Sequence, residues 1–214
     1  MKLGLIGLAG AGKDTAAVIM QRILKEQTGE HYTIERYAGL LKTCARKVFG
    51  DSFDDRDVKE VMIPVTKELH DLMIAVTSYC QRELGIYDDD DIARWHKLCN
   101  QHFGGLSEVS PRLFQQLLGT EVGRAIDPNI WVNYLHSKDY NMIIPDCRFP
   151  NELVDKNILI IRHGVPENIH SSEEFAAHLQ IDHTARLGVV DYVTRNTGTI
   201  KELETRLRFV LTTL

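Results

Sequence analysis

Two periods alternate along this chain. Residues 2–6 (KLGLI) are a short apolar run that ends in a glycine-rich loop, and behind the loop Ala16, Ile19, Met20, Ile23 and Leu24 recur at helical spacing. Residues 32–38 (YTIERYA) read as a second strand, and residues 42–48 begin a helix that ends near Gly50. The middle, residues 52–109, is helical and polar in patches; Leu69, Leu72, Met73, Val76 and Cys80 line one helix face there. The acidic run Asp88–Asp91 reads as a solvated loop or a helix start, since no ligand spacing supports a divalent ion. Ser110-Pro111 is a helix start, a hydroxyl cap followed by proline in the first turn. Leu113, Leu117, Leu118 and Val122 continue that helix, Asp127-Pro128 breaks it, and residues 130–135 begin another. Residues 141–145, 158–162 and 189–194 are further strands, with Asp146 ending the first of these. Thr199 and Glu202 form a capping box for a last helix whose inward face is Ile200, Leu203, Leu207, Val210 and Leu211. Strands alternating with helices predict an α/β fold, a parallel β-sheet core with helices on both faces, as one domain over residues 1–214 with a helical insert at 52–109.

Composition narrows the function classes. With 214 residues and 43% hydrophobic content the chain can fill one α/β core. The net charge is −5 and no segment is dominated by lysine and arginine, which argues against a nucleic-acid footprint. No apolar run reaches ~18 residues, so no membrane partner is expected. The N-terminus lacks a signal-peptide pattern. Cys44, Cys80, Cys99 and Cys147 are scattered without C-x-x-C spacing, which reads as reduced thiols of a cytoplasmic protein.

Chemistry enters at residues 7–15, GLAGAGKDT. Gly7, Gly12 and Lys13 fall where a phosphate-binding loop G-x-x-x-x-G-K-[ST] wants them, but Asp14 stands in the hydroxyl position and Thr15 comes one place late. In such a loop the amides of Gly10, Ala11 and Gly12 cradle phosphate oxygens at the positive end of the following helix, and Lys13 reaches the outer phosphates of ATP. Asp14 can serve Mg2+ directly or through water, because magnesium prefers oxygen ligands, and Thr15 can donate to an inner phosphate. The competing reading is a glycine-rich turn present for packing alone.

Gly-Lys-Asp-Thr in this loop resembles the phage-type deoxynucleoside monophosphate kinases, members of the P-loop nucleotide kinase superfamily. The likeness extends to AGLLK at 38–42, PRLFQQLLGTEVGR at 111–124 with Trp131 after it, PDCRFPNE at 145–152 and DYVTRNTGTIKEL at 191–203, and leaves residues 52–109 unmatched. It implies phosphorylation of deoxynucleoside monophosphates by ATP with Mg2+, in the cytoplasm (the host's, for a phage protein), and is compatible with a homodimer.

A kinase of this kind needs a second anion site, and the candidates are Lys42, Arg112, Arg124, Arg148 and Arg162. Arg112 lies in the first turn of the Ser110 helix, Gln116 is one turn on and on the same side, and Arg124 is three turns on. Each arginine could equally belong to a solvated helix face. The resemblance implies that Arg112, Gln116, Gly119 and Thr120 line the acceptor pocket. Asp146 follows an apolar strand, where it would orient magnesium or its water or hold the acceptor; Arg148 lies two residues on. The alternative is a turn-capping Asp146 paired with Arg148. Trp131 either stacks on the base or belongs to the core, the commoner place for such a tryptophan. Arg162 precedes a lid at 163–175 that carries His170 and a Ser171–Glu174 box. By analogy with nucleotide kinases the 52–109 insert would bind the acceptor, and the 196–198 turn would lie against adenine. Two other readings stay open: a phosphomevalonate kinase-like enzyme, and a non-catalytic nucleotide-binding switch protein.

Overall fold

Leu3 and Leu5 are wholly buried because their strand runs through the middle of a sheet. The computed structural model describes residues 1–162, 164 and 174–213. In it, β1 (Lys2–Ile6), β2 (Thr33–Ile34), β5 (Met142–Cys147), β6 (Lys156–Ile161) and β7 (Tyr192–Arg195) form a five-stranded sheet in the order β2-β5-β1-β6-β7. Every pairing in it is parallel. The apolar runs of β1, β5 and β6 are those of strands covered on both faces. Helices α1 (Lys13–Thr28) and α8 (Ile200–Leu211) share one core with the sheet, in which Ile19, Met20, Ile23, Leu203 and Leu207 pack with Leu3, Leu5, Ile143, Ile158 and Ile160. Helix α7 (Glu174–Ile181) also packs against β6. These elements make up one compact unit, residues 1–37 and 138–214.

One irregularity matters for the site. Gly4 is level with Ile144, but Ile6 is level with Cys147, so β5 carries an extra residue where Pro145 stands. A proline has no amide to give a central ladder and is tolerated there at a bulge. The bulge shifts the phase of β5 just where Asp146 emerges.

The second unit, residues 38–137, has its own core. It contains α2 (Gly39–Phe49), α3 (Lys67–Glu83), α4 (Asp89–Phe103), α5 (Pro111–Gln116) and α6 (Ile130–His136), with a small antiparallel pair, β3 (Ile63–Pro64) and β4 (Glu108–Val109). Met73, Val76, Trp95, Phe103, Phe114 and Leu118 fill it. The caps are local: Thr66 accepts from the Leu69 amide, Asp88 from those of Asp90 and Asp91, and Ser110 from that of Leu113. The acidic run is therefore a helix start, with its charge at the positive end of α4.

Several expectations change. The second strand is two residues long, not seven, because its chain leaves the sheet at Glu35 after that amide bonds to Ile143. Strand β5 runs on through Asp146. The last strand begins at Tyr192, three residues later than expected. Leu72 is 41% exposed; the buried stripe of α3 is Met73, Val76, Thr77, Cys80 and Gln81 instead. Two of these are polar, and both have local partners: Thr77 donates to the Ile74 carbonyl and Gln81 to that of Ile86. Ile200 is 68% exposed at the first turn of α8. After Gln116 the chain continues through a π-helical stretch, Leu117–Arg124, that no periodicity predicted. The compact helical unit runs over residues 38–137, with α2, α5 and α6 in the same core as α3 and α4. All four cysteine thiols are free and buried. Among the described residues no helix is long and apolar enough to cross a membrane.

Candidate functional site

The carboxyl edge of the parallel sheet gathers the first group of residues. Strand β1 lies between β5 and β6, where the strand order reverses, and in open α/β sheets ligands bind outside that point. The loop from Gly7 to Gly12 leaves β1 there and enters α1. Gly12 has φ +90°, and a side chain on it would overlap the Asn196 amide. A Cβ on Gly7 would sit 2.6 Å from the Ile160 carbonyl oxygen. The Ala11 amide bonds to the Leu8 carbonyl at 3.1 Å, and the Ala16 amide to that of Gly12 at 2.9 Å, which starts the helix. Gly12 brings no capping side chain to the first turn, so the positive end of α1 is left to an anion. Lys13 Nζ folds over the loop and donates to the carbonyls of Gly7 and Leu8, at 2.8 and 3.0 Å. The capping box of Thr199 and Glu202, by contrast, closes α8 with its own side chains.

Four further connections define this edge. Asn196, just after β7, donates its side-chain amide to the Ala11 carbonyl at 2.9 Å. Arg162, just after β6, donates to the Gly10 carbonyl at 3.4 Å. Arg36 pairs with Asp14 at 2.5 Å. The Tyr37 amide reaches Asp146 Oδ1 at 3.4 Å. Burial raises the Asp146 carboxyl above its ordinary value, while the Tyr37 amide and the charges of Arg148 and Arg36 pull the other way. Glu152, buried, accepts from the amides of Arg148 and Phe149 at 2.6 and 3.2 Å and so shapes the turn that carries Arg148. Its carboxyl is also raised, by burial first. Tyr37 closes the group by donating its hydroxyl to the Glu152 carbonyl at 2.6 Å; burial pushes that phenol well up.

The donors suit a magnesium ion. Asp14, with a side chain 75% exposed, and Asp146 carry hard oxygen donors of the kind magnesium takes, one or two carboxylates with water and phosphate oxygens completing its shell, while among the described residues no group of three or more His, Cys, Asp or Glu side chains comes together.

The second group lies in the helical unit. A cavity of about 460 Å³ is lined by Lys42, Asp54, Lys59, Arg112, Gln115 and Gln116. Lys42 pairs with Asp54 at 2.6 Å, and Arg112 with Glu60 at 3.4 Å. The Arg112 amide donates to the Lys59 carbonyl at 3.0 Å, tying the loop before β3 to the first turn of α5. Lys42, Arg112 and Gln116 are thus brought together as expected from the sequence, and Lys59, Asp54 and Gln115 join them.

The rest of the matched helix has another role. The Gly119 carbonyl accepts from the Trp131 indole at 2.9 Å. A Cβ on Gly119 would come 3.0 Å from Leu41, and one on Gly123 would come 2.5 Å from the Trp131 ring. Trp131 is a core residue, 5% exposed, and the two glycines are where α2 and the indole approach. Thr120 and Arg124 are exposed and do not line the cavity, whose α5 lining is Arg112, Gln115 and Gln116. His170, Ser171 and most of the 163–175 lid lie outside the described residues.

Sequence reasoning did not single out Arg36, Tyr37, Asn196 as a side-chain donor, or Lys59. Arg36 and Tyr37 fall inside the strand expected at residues 32–38, so the sequence pattern did not mark them as lying at the sheet edge.

No protein-family model matches the chain, and no curated protein matches it. Among solved structures it is similar to the dephospho-CoA kinase from Campylobacter jejuni, with 11% identity over 99% of this chain and 96% of that one and a TM-score of 0.36. So loose a likeness carries no assignment, and the fold class rests on the sheet topology itself.

Proposed function

We propose that this chain is a kinase that uses ATP and Mg2+ to phosphorylate a small phosphorylated acceptor, and that the acceptor is a deoxynucleoside monophosphate. The observation that carries the reading is the Gly7–Gly12 loop with Lys13 at the switch point of a parallel sheet, flanked on the same edge by Asp146, Arg148 and Arg162.

The chemistry asks little covalent work of the protein. The loop amides and the start of α1 hold the ATP phosphates, and Lys13 exchanges its two carbonyl contacts for phosphate oxygens. Arg148 and Arg162 offset the charge of the transferred group. Asp14 and Asp146 would hold magnesium, Asp146 directly or through water, and the ion when bound neutralises phosphate charge and orients it. Lys42, Lys59 and Arg112 supply three cations for the acceptor phosphate, and Gln115 and Gln116 offer amide donors and acceptors to a base. A nucleotide switch has no use for such a second cationic cavity. The deoxynucleotide preference, and a homodimeric assembly, rest on the sequence resemblance.

The test is a coupled assay with ATP and Mg2+ in which each deoxy- and ribonucleoside monophosphate is offered in turn. Diphosphate formed from deoxynucleotides with little from ribonucleotides is the expected result. Turnover of phosphomevalonate alone would leave a kinase with a different acceptor. ATP binding without turnover of any acceptor would overturn the kinase reading.

A further inference from the structure

Asp14 is the departure from the usual loop pattern, and a bare carboxylate beside a phosphate site repels its ligand. The structure answers with Arg36. Its guanidinium leaves the end of β2, spans to the first turn of α1 and meets Asp14 Oδ1 at 2.5 Å. The next residue, Tyr37, gives its amide to Asp146. One short segment thus engages both carboxylates assigned to magnesium, one through a guanidinium and one through an amide. The Arg36 charge also favours the ionised form of Asp146. Lys13 Nζ, in the same loop, donates to the Gly7 and Leu8 carbonyls.

We infer that Arg36 is the resident counter-ion of Asp14, occupying the carboxylate until magnesium displaces it. The inference rests on the ATP- and magnesium-binding reading above. A guanidinium and a divalent ion compete for the same oxygen. The pair is exposed on both sides, with side chains 42% and 75% accessible, so it is weak enough to open when magnesium arrives. While closed, it lets nucleotide phosphate approach the loop without meeting an unscreened negative charge.

The experiment is a titration of the full chain with a fluorescent N-methylanthraniloyl ATP, once in EDTA and once in excess Mg2+. In EDTA, Arg36→Gln should weaken binding about fivefold, while in saturating Mg2+ the change should stay below about twofold. The Mg2+ concentration for half-maximal tightening should fall, because its competitor is gone. Adding Asp14→Asn to Arg36→Gln should restore binding in EDTA, and Arg36→Lys should lie between wild type and Arg36→Gln. Equal weakening with and without Mg2+, or no rescue by Asp14→Asn, would overturn the inference and make Arg36 an ordinary phosphate contact. A wild-type chain that binds no nucleotide in either buffer would overturn the ATP reading itself. A wild type that binds and an Arg36→Gln variant that is indistinguishable from it would sink this inference alone.

Discussion

Asn196 tethers the Gly7–Gly12 loop to the neighbouring strand end: its side chain donates to the Ala11 carbonyl at 2.9 Å, while its backbone amide donates to the Ile161 carbonyl at 2.8 Å. The first bond fixes the loop and the second fixes Asn196 to the end of β6. Asn196→Ala should therefore weaken ATP binding about tenfold, the worth of one partly buried hydrogen bond that preorganises a site. Global stability should change little. Asn196→Asp should be worse, since a carboxylate would face a carbonyl. Calorimetric titration with ATP and Mg2+ checks this; an unchanged affinity for Asn196→Ala would mean the loop keeps its shape without the tether.

In the helical unit the prediction concerns stability. Gly123→Ala would drive a methyl into the Trp131 ring, 2.5 Å away. Overpacking of this kind costs about 1–3 kcal/mol. Trp131→Phe removes the indole bond to the Gly119 carbonyl, which keeps its place in the helical ladder, and costs about 0.5–1.5 kcal/mol on that account. Urea denaturation should show both losses, and the folded variants should bind ATP as the wild type does. A Trp131→Phe protein of full stability but with a raised acceptor KM would return the indole to the substrate site.

Arg112 and Glu60 should act in opposite directions. Arg112→Ala removes a cation from the cavity and should raise the acceptor KM about tenfold or more. Glu60→Gln removes the carboxylate that occupies Arg112 at 3.4 Å and should lower that KM about twofold, because an exposed pair is weak. The KM for ATP should stay constant in both. Steady-state kinetics with the acceptor varied decides, and identical acceptor KM values in both variants and wild type would remove Arg112 from the pocket.

Stability should also carry a signature of the two raised carboxyls. Asp146 and Glu152 have folded-state pKa values above their ordinary 3.8 and 4.5. Between the ordinary and raised values the folded protein binds more protons than the unfolded chain. The stability these two groups contribute then falls as pH rises through that window and is fullest below it, opposite in sign to the contribution of Glu68, Asp182, Glu202 and Glu204, whose carboxyls lie below their ordinary values. Thermal unfolding of wild type and Asp146→Asn from about pH 4 upward isolates the part due to Asp146, and the difference between them should shrink as pH rises. An unaltered slope would mean that Asp146 ionises in the folded protein as in the unfolded chain.

Much of the local structure could be read directly. The Thr199–Glu202 box, the Ser110-Pro111 start and the buried stripe of α1 all appear where the pattern puts them. Each depends on residues three or four apart, so the information lies in one short window. Lys13 and Gly12 were legible for the same reason. Leu72 and Ile200 were misjudged because periodicity gives the angular position of a side chain but not which neighbour covers it. Trp131 and its glycines show the same gap: whether an indole meets a base or a helix depends on what packs beside it.

The sequence by itself determined a glycine-rich loop between a strand and a helix, an α/β alternation, and a set of candidate cations. Which of those cations meet, and what restrains them, was decided by tertiary structure alone. Asp14 and Arg36 are 22 residues apart, Tyr37 and Asp146 are 109 apart, and Ala11 and Asn196 are 185 apart. The physical reason is strand order: a parallel sheet brings the carboxyl ends of its strands to one edge whatever their distance along the chain, and only the order β2-β5-β1-β6-β7 says which ends are neighbours.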